Sequence, residues 1–492
     1  MDPRLRIAAH AGGSEGIEKH RLRIGFVPLA DCAPLVWAKE RGHFRRHGLE
    51  VELSREVSWA SLRDKVAAGA LDAAQMLAPM PFAAALGLGG LELPISTGYC
   101  LGLGGNAITI SDALYRRLAD VDPEALVTRP VTATALRELI LLDREAGRPP
   151  LRFGIVFPYS THDLELRYWL ASAGIDPDRD VSLRVVAPPL MVQRLEEGHL
   201  DGYCVGEPWN ALAAARGSGR ALVTKHEIWN HSPEKVFGVA ESWLENHPGT
   251  HRALLRALLE AAVEIDDPER RLEVAHVIAG ESFVDAPVEV MRRSLAPLGR
   301  GAGPIFYRNA ATHPWISHAA WLLSQMVRWG YVEKPIDLRA LARRVYRPDL
   351  HREAAADLGL PAPLVDEKME GVHGSAWMLD EASAPIAMGS DHFFDGLRFD
   401  PDEIVEYLER FVISASSSIR TRSAEIAKRS RYSTISSGSK RRPSKKWSEP
   451  IAIGALASSR IQAEPCTPSI FSSTSGAGSP RSAAASRCRS GR

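Results

Sequence analysis

The stretch Phe157 to Leu170, FPYSTHDLELRYWL, constrains this chain most, because it joins a strand end, a cluster of capping residues and an amphipathic helix without a break. Upstream, Leu151 to Phe157 (LRFGIVF) has the branched and aromatic content of a buried strand, and Pro158 and Tyr159 end it. Ser160, Thr161 and Asp163 can each accept from the free N–H groups of a helix's first turn, and Leu164, Leu166, Tyr168, Trp169 and Leu170 supply its docking surface. A strand, short loop and helix N-terminus in this order aim unpaired N–H donors and a positive dipole end above a sheet edge, which makes an anion site. His162 falls in that first turn; taken locally, it reads as a surface histidine beside a cap.

The same strand and helix alternation recurs on both sides. Arg21 to Leu29 reads as a strand followed by a helix at about 33–41, 49–53 as a strand, 60–68 as a helix, and 71–77 and 79–86 as a further pair. After a helical region at 112–145, strands at 151–157, 181–187 and 200–205 repeat that build, and helices dominate beyond Pro248. The alternation predicts mostly parallel sheets covered by helices. At 492 residues the chain exceeds one ordinary core, so two α/β lobes with a ligand between them and a helical C-terminal part are expected. The expected division is a leader at 1–20, a first lobe at 21–110, a second at 111–230, a return to the first lobe with helices at 231–410, and a disordered tail at 411–492.

Two stretches invite other readings. Gly102, Gly104 and Ala107 imitate the G-x-G-x-x-A dinucleotide fingerprint, but these glycines precede a strand, whereas the phosphate-binding form follows one and opens a helix. A glycine loop rising into a strand is expected there. The segment His226 to Lys235, HEIWNHSPEK, reads as a polar, proline-broken turn before a strand at 236–240.

Charge narrows the function. Lys+Arg and Asp+Glu both number 60, yet the segment 411–492 holds 15 basic and 3 acidic residues, leaving an acidic body that argues against direct nucleic-acid binding by the folded part. The tail is about a quarter serine, which predicts disorder. Its KRRPSKKW run could touch nucleic acid or an acidic surface, although such a tail is more often merely solvated. Cys32, Cys100, Cys204, Cys466 and Cys488 form no C-x-x-C pair, so neither a metal centre nor a disulfide framework is expected. The N-terminus carries charges throughout and no apolar core of an export signal, and no run approaches the roughly 20 apolar residues of a membrane span, so a cytoplasmic protein without membrane insertion is expected. No nucleophile or metal set surrounds the acidic pairs, such as Asp163 with Glu165, so no enzyme and no cofactor are expected.

The segments RIGFVPLADCAPLVWAKERGHF, ALDAAQMLAPMP, GGNAITI, FPYSTHDLELRYWLASAGIDPDRDV, DGYCVGEPWN, HSPEKVFGV, PWISHAAWLLSQMVRWGY, VYRPDLHREAAADLG and FFDGLRFDP, running in order from Arg21 to about Arg410, resemble the nitrate- and bicarbonate-binding proteins of ABC importers (NrtA/CmpA type). The likeness is nearest to their cytoplasmic nitrate/nitrite-sensor relatives (NasS type), since no export signal or linker precedes the match. The resemblance implies a type II periplasmic-binding-protein fold whose interlobe cleft holds one small oxyanion. It places four residues on that cleft: Trp59, Asn106, where the family commonly carries a longer amide, His162 and Lys235. Alone, each has a blander reading: core indole, turn cap, surface imidazole, solvated amine. Together they suit nitrate or nitrite, a diffuse monoanion that needs a cation and several neutral donors. Trp209 follows a strand end in VGEPWN and is a further candidate to shape the cleft, whereas Glu207 is expected to be bonded away to lysine or backbone. The resemblance thus implies a nitrate/nitrite sensor that controls an antitermination regulator with an RNA-binding output domain; the alternative is the substrate-binding subunit of a nitrate, bicarbonate or organic-anion importer.

Overall fold

The structure, a computed structural model, describes residues 16–90, 92–296, 303–333, 335–367, 376–377, 386–387 and 392–414. Strand β1, Arg21–Phe26, buries Leu22, Ile24 and Phe26 and lies parallel to β2, Glu50–Arg55, and β3, Ala73–Leu77. Strands β4, Ile95–Ser96, and β5, Cys100–Leu103, follow. The chain then crosses into a second sheet as β6, Asn106–Ser111, joined by β7, Leu151–Ile155, β8, Val181–Val185, β9, Gly202–Gly206, and β10, Gly219–Thr224. It returns as β11, Pro233–Ala240.

The first sheet has the order β2-β1-β3-β11-β4 with β5 beside β11, and the second β10-β6-β9-β7-β8. Neither is mostly parallel, contrary to the expectation from alternation. Only the βα-linked trio of each sheet runs parallel. The strands that carry the chain between sheets enter from the opposite end, so β11 is antiparallel to β3 and β6 antiparallel to β9. The glycine stretch also differs from the loop expected of it. Cys100–Leu103 is a strand paired with β11, and the turn is confined to Gly104 and Gly105 at the crossing. Gly104 has φ 75°, and a Cβ there would fall 2.1 Å from His226 Nε2, so only glycine fits beneath that imidazole.

The helical part packs on both lobes. Helix Pro248–Ile265 lies on helix Ala33–Glu40 of the first lobe, and helix Ile316–Arg328 covers helix Thr161–Ser172 of the second. That cover explains why Thr161 to Leu170 is buried on every side. Its charged members are paired in compensation: Arg167 reaches Asp163 at 2.9 Å and Asp178 at 2.8 Å, and Tyr331 Oη donates to Asp163 at 2.5 Å. Helix Ile404–Ser414 extends past Phe411, and the rest of the expected tail, with Cys466 and Cys488, lies outside the described residues. Among the described residues no helix is long and apolar enough to cross a membrane.

Candidate anion site

Local sequence rules fix the corner that the chain is read around. Ser160 is the N-cap of helix Thr161–Ser172, in extended geometry, and its Oγ accepts from Asp163 N at 3.1 Å. The cap sets Thr161 and His162 on the first turn, both fully buried. The surface reading of His162 is therefore overturned: its ring is fully buried, with Glu234 Oε1 3.3 Å from its Nε2.

Opposite this corner stands β11. It begins at Pro233, three residues before the expected start, so Glu234 and Lys235 belong to a strand flanked by β3 and β5. The polar turn expected over 226–235 is thus divided. Lys225–Ile228 is a short helix with a Thr224 and Glu227 capping box, and the rest joins the sheet. The reading of Lys235 as solvated fails with it, for both Glu234 and Lys235 are buried.

Glu234 is the hub of the site and was missed in the sequence. Its Oε1 accepts from Lys235 Nζ at 2.5 Å, and its Oε2 accepts from Lys225 Nζ at 3.0 Å, Asn106 Nδ2 and Thr161 Oγ1. His162 Nε2 lies 3.3 Å from Oε1 without hydrogen-bond alignment. Glu234 stands on the first sheet, whereas Asn106, Thr161, His162 and Lys225 belong to the second lobe, so one carboxylate ties the lobes together. Burial opposes its ionisation, but the Lys235 and Lys225 ammonium groups hold its carboxyl well below the ordinary range. Burial drives His162 down to about 3, beyond what Glu234 restores, so its imidazole is neutral at pH 7.

Each lysine has a second carboxylate in its own lobe. Lys235 Nζ meets Asp31 Oδ2 at 2.9 Å, and Asp31 Oδ1 accepts from Gln75 Nε2. Lys225 Nζ donates to Glu165 Oε1. Trp59, first residue of helix Trp59–Ala67, lies buried with its ring centroid 5.5 Å from Lys235 Nζ. Its Nε1, both ring nitrogens of His162 and Asn106 Oδ1 are buried with no hydrogen-bond partner.

The structure thus brings together Asn106, His162 and Lys235 around Glu234, with Trp59 against Lys235. Trp209 is also buried; its carbonyl accepts from Tyr203 Oη at 3.0 Å, and its Nε1 has no hydrogen-bond partner. In VGEPWN it is Gly206 that faces the site, since a Cβ there would lie 3.3 Å from Asn106 Oδ1 and 3.8 Å from Asp31 Oδ2. Glu207 is bonded away, accepting from Ala211 N at 3.1 Å and Ser294 Oγ at 3.0 Å, to backbone and hydroxyl with no lysine involved. The backbone of this turn also spans the lobes, with Ala30 N donating to Glu207 O at 2.7 Å. Among the described residues no group of three or more His, Cys, Asp or Glu is arranged to hold a metal ion.

Residues 15–279 match the NMT1-like family. The chain is 38% identical over 417 residues to the nitrate import ATP-binding protein NrtC of Synechocystis sp., covering 82% of this chain and 57% of that protein. It therefore spans little more than half the length of that relative. It is 31% identical over 418 residues to the nitrate/nitrite binding protein NrtA of Nostoc sp., covering 82% of this chain and 88% of that one. The crystal structure of the periplasmic nitrate-binding protein NrtA from Synechocystis PCC 6803 superposes with a TM-score of 0.70 at 28% identity, over 81% of this chain and all of that one. Matched in sequence along most of its length, and in fold as two α/β lobes meeting at one buried polar cluster, the chain belongs to the NMT1-like family and to its NrtA/CmpA type of substrate-binding proteins.

Proposed function

We propose that this protein is the substrate-binding component of an importer for a small oxyanion, nitrate or nitrite, held between its two lobes. The observation that carries the reading is the treatment of Glu234. Two ammonium groups, an amide, a hydroxyl and an imidazole from both lobes converge on one planar group of two oxygens and one negative charge. Such a donor set, in a buried site, suits a planar monoanion of similar size. Trp59 Nε1 and the neutral His162 ring add donors that the protein itself leaves unpartnered. Lys235, His162, Asn106 and Trp59 are the residues assigned to the anion.

The importer role, the alternative in the sequence reading, has the better support. Relatives named above carry names from nitrate import and periplasmic nitrate binding, whereas a sensor and its antitermination partner find no support among them. The partner that follows is a membrane transporter subunit. A second reading, bicarbonate, is favoured by Glu234 itself. An ionised carboxylate is acceptor-only, and bicarbonate brings an O–H to donate where nitrate brings none. The bicarbonate transport ATP-binding protein CmpC of Synechococcus elongatus is 38% identical over 417 residues, 84% of this chain and 57% of that protein.

Calorimetric titration with nitrate, nitrite and bicarbonate tests the reading. Saturable heat with at least one of them, lost in Lys235→Met, is expected; no heat from any of the three at millimolar concentration overturns it.

A further inference from the structure

Two buried lysine and carboxylate pairs flank Glu234, one from each lobe, and they differ in one atom. Asp31 has both oxygens bonded, one by Lys235 and one by Gln75. Glu165 has Oε1 bonded by Lys225, while its Oε2 is buried with no hydrogen-bond partner. We propose that the site takes up one proton with each anion and that Glu165 receives it on that unpartnered oxygen, an inference that rests on the oxyanion reading above.

The argument begins with charge. Three carboxylates, Asp31, Glu165 and Glu234, meet two ammonium groups, Lys225 and Lys235, and all five are buried. With every group ionised the cluster already carries one negative charge, and a monoanion would make it two. In a site shielded from water that excess is costly, and protonating one carboxylate removes it. The proton comes from solvent and bonds to a carboxylate oxygen; no other bond forms or breaks.

Geometry selects which carboxylate. Burial raises Asp31 too, but both its oxygens are already bonded and a proton there would weaken the bond to Lys235 or Gln75, while Glu234 accepts from four donors. Glu165 can take a proton on Oε2 with its lysine bond intact. Burial raises Glu165 to about 7; Lys225 works against that rise and the charge of Glu234 adds to it. Burial works against both ammonium groups too, but their carboxylates outweigh it and keep Lys225 and Lys235 charged.

Other groups near Glu165 leave this assignment standing. The Cys204 thiol on β9 is pushed by burial well above its ordinary value and stays neutral. On its own helix, His162 is neutral, and Asp163, which burial also raises, has both oxygens bonded, one by Arg167 and one by Tyr331. Arg328, from the helix packed against it, lies instead over the rings of Trp329, Phe411 and Tyr168. An incoming anion adds negative charge next to Lys225 and Lys235, and so raises Glu165 further.

Calorimetry of the full chain with sodium nitrate and sodium nitrite, repeated in buffers of different ionisation enthalpy, counts the protons. Uptake approaching about one proton per anion is expected at pH 8, where free Glu165 is mostly ionised, falling towards zero at pH 6. Affinity should weaken by up to about tenfold per pH unit above 7. Glu165→Gln should abolish the buffer dependence and flatten the pH profile. Should that variant not fold, infrared difference spectra of the unaltered protein decide, a new buried carboxylic-acid band on nitrate addition being expected. Binding with heats independent of buffer, or no such band, overturns the proton coupling and leaves the anion site standing. No binding by either anion or by bicarbonate overturns both.

Discussion

The two strand-to-helix corners that face each other across the site follow one plan and carry opposite chemistry. In the first lobe β1 ends at Phe26, the turn Ala30–Cys32 follows, and helix Ala33–Glu40 starts with no side-chain cap and with Pro34 in its first turn. That corner carries Asp31, already satisfied by Lys235 and Gln75. In the second lobe β7 ends at Ile155, Ser160 caps the helix, and the residues presented are Thr161 and the neutral His162. One corner thus brings its own anion and the other brings uncharged donors at a positive helix end. Glu234 shows the outcome: the first lobe extends a carboxylate into the second lobe's donors. On the proposed reading, the difference teaches that the second corner receives the anion, whereas the first holds the Lys235 charge in place.

The sharpest way to break that comparison is to remove Lys235. Lys235→Met leaves Asp31 and part of Glu234 as unneutralised buried charge, and it should cost about 3–5 kcal/mol of stability in urea unfolding. Adding Asp31→Asn should restore part of this, a coupling that a double-mutant cycle reads directly. If the single change costs under about 1 kcal/mol, the first corner is not a self-neutralised unit. At the other corner, His162→Leu should weaken nitrate or nitrite by roughly 1.5–3 kcal/mol, the worth of a hydrogen bond to a charged group. Its stability should fall less than that of Lys235→Met, because the ring nitrogens make no hydrogen bond inside the protein. Ser160→Ala should cost about 1 kcal/mol of stability through the lost cap bond to Asp163 N. The equivalent Cys32, at the start of helix Ala33–Glu40, makes no side-chain cap bond to lose.

How much of this was legible follows from what each signal depends on. Strand β7 and the Ser160 cap declare themselves locally: branched residues, then proline, then hydroxyls before an apolar helix. The cleft residues were reached through the resemblance, since a buried lysine or histidine has no local signature. Glu234 stayed hidden because HSPEK looks like a turn, and only the strands on either side of β11 make it a buried strand; proline at its first position is tolerated there. Lys225 and Glu165 are 60 residues apart, and their pairing is a product of the fold. Asp31 did carry a signal, an acid in the first turn after a strand, but its meaning required Lys235. In VGEPWN the glycine also lies against the site, and it has no signature in the sequence because its contribution is the side chain it lacks.

Trp59 gives the smallest effect and the finest test of which lobe does the recognising. It belongs to the first lobe, and its ring lies 5.5 Å from Lys235 Nζ, so it offers two separable features: a face against the ammonium and an indole N–H with no partner inside the protein. Trp59→Phe keeps a face and deletes the donor. If the first lobe mainly fixes the Lys235 charge, the loss in nitrate or nitrite affinity should be about 0.5–1.5 kcal/mol, well below that of His162→Leu, with stability little changed. A loss equal to that of His162→Leu would mean that the indole is a full ligand and that the two corners share the anion evenly. Trp59→Leu removes the face as well, and any further loss beyond Trp59→Phe measures how much the ring contributes by holding Lys235.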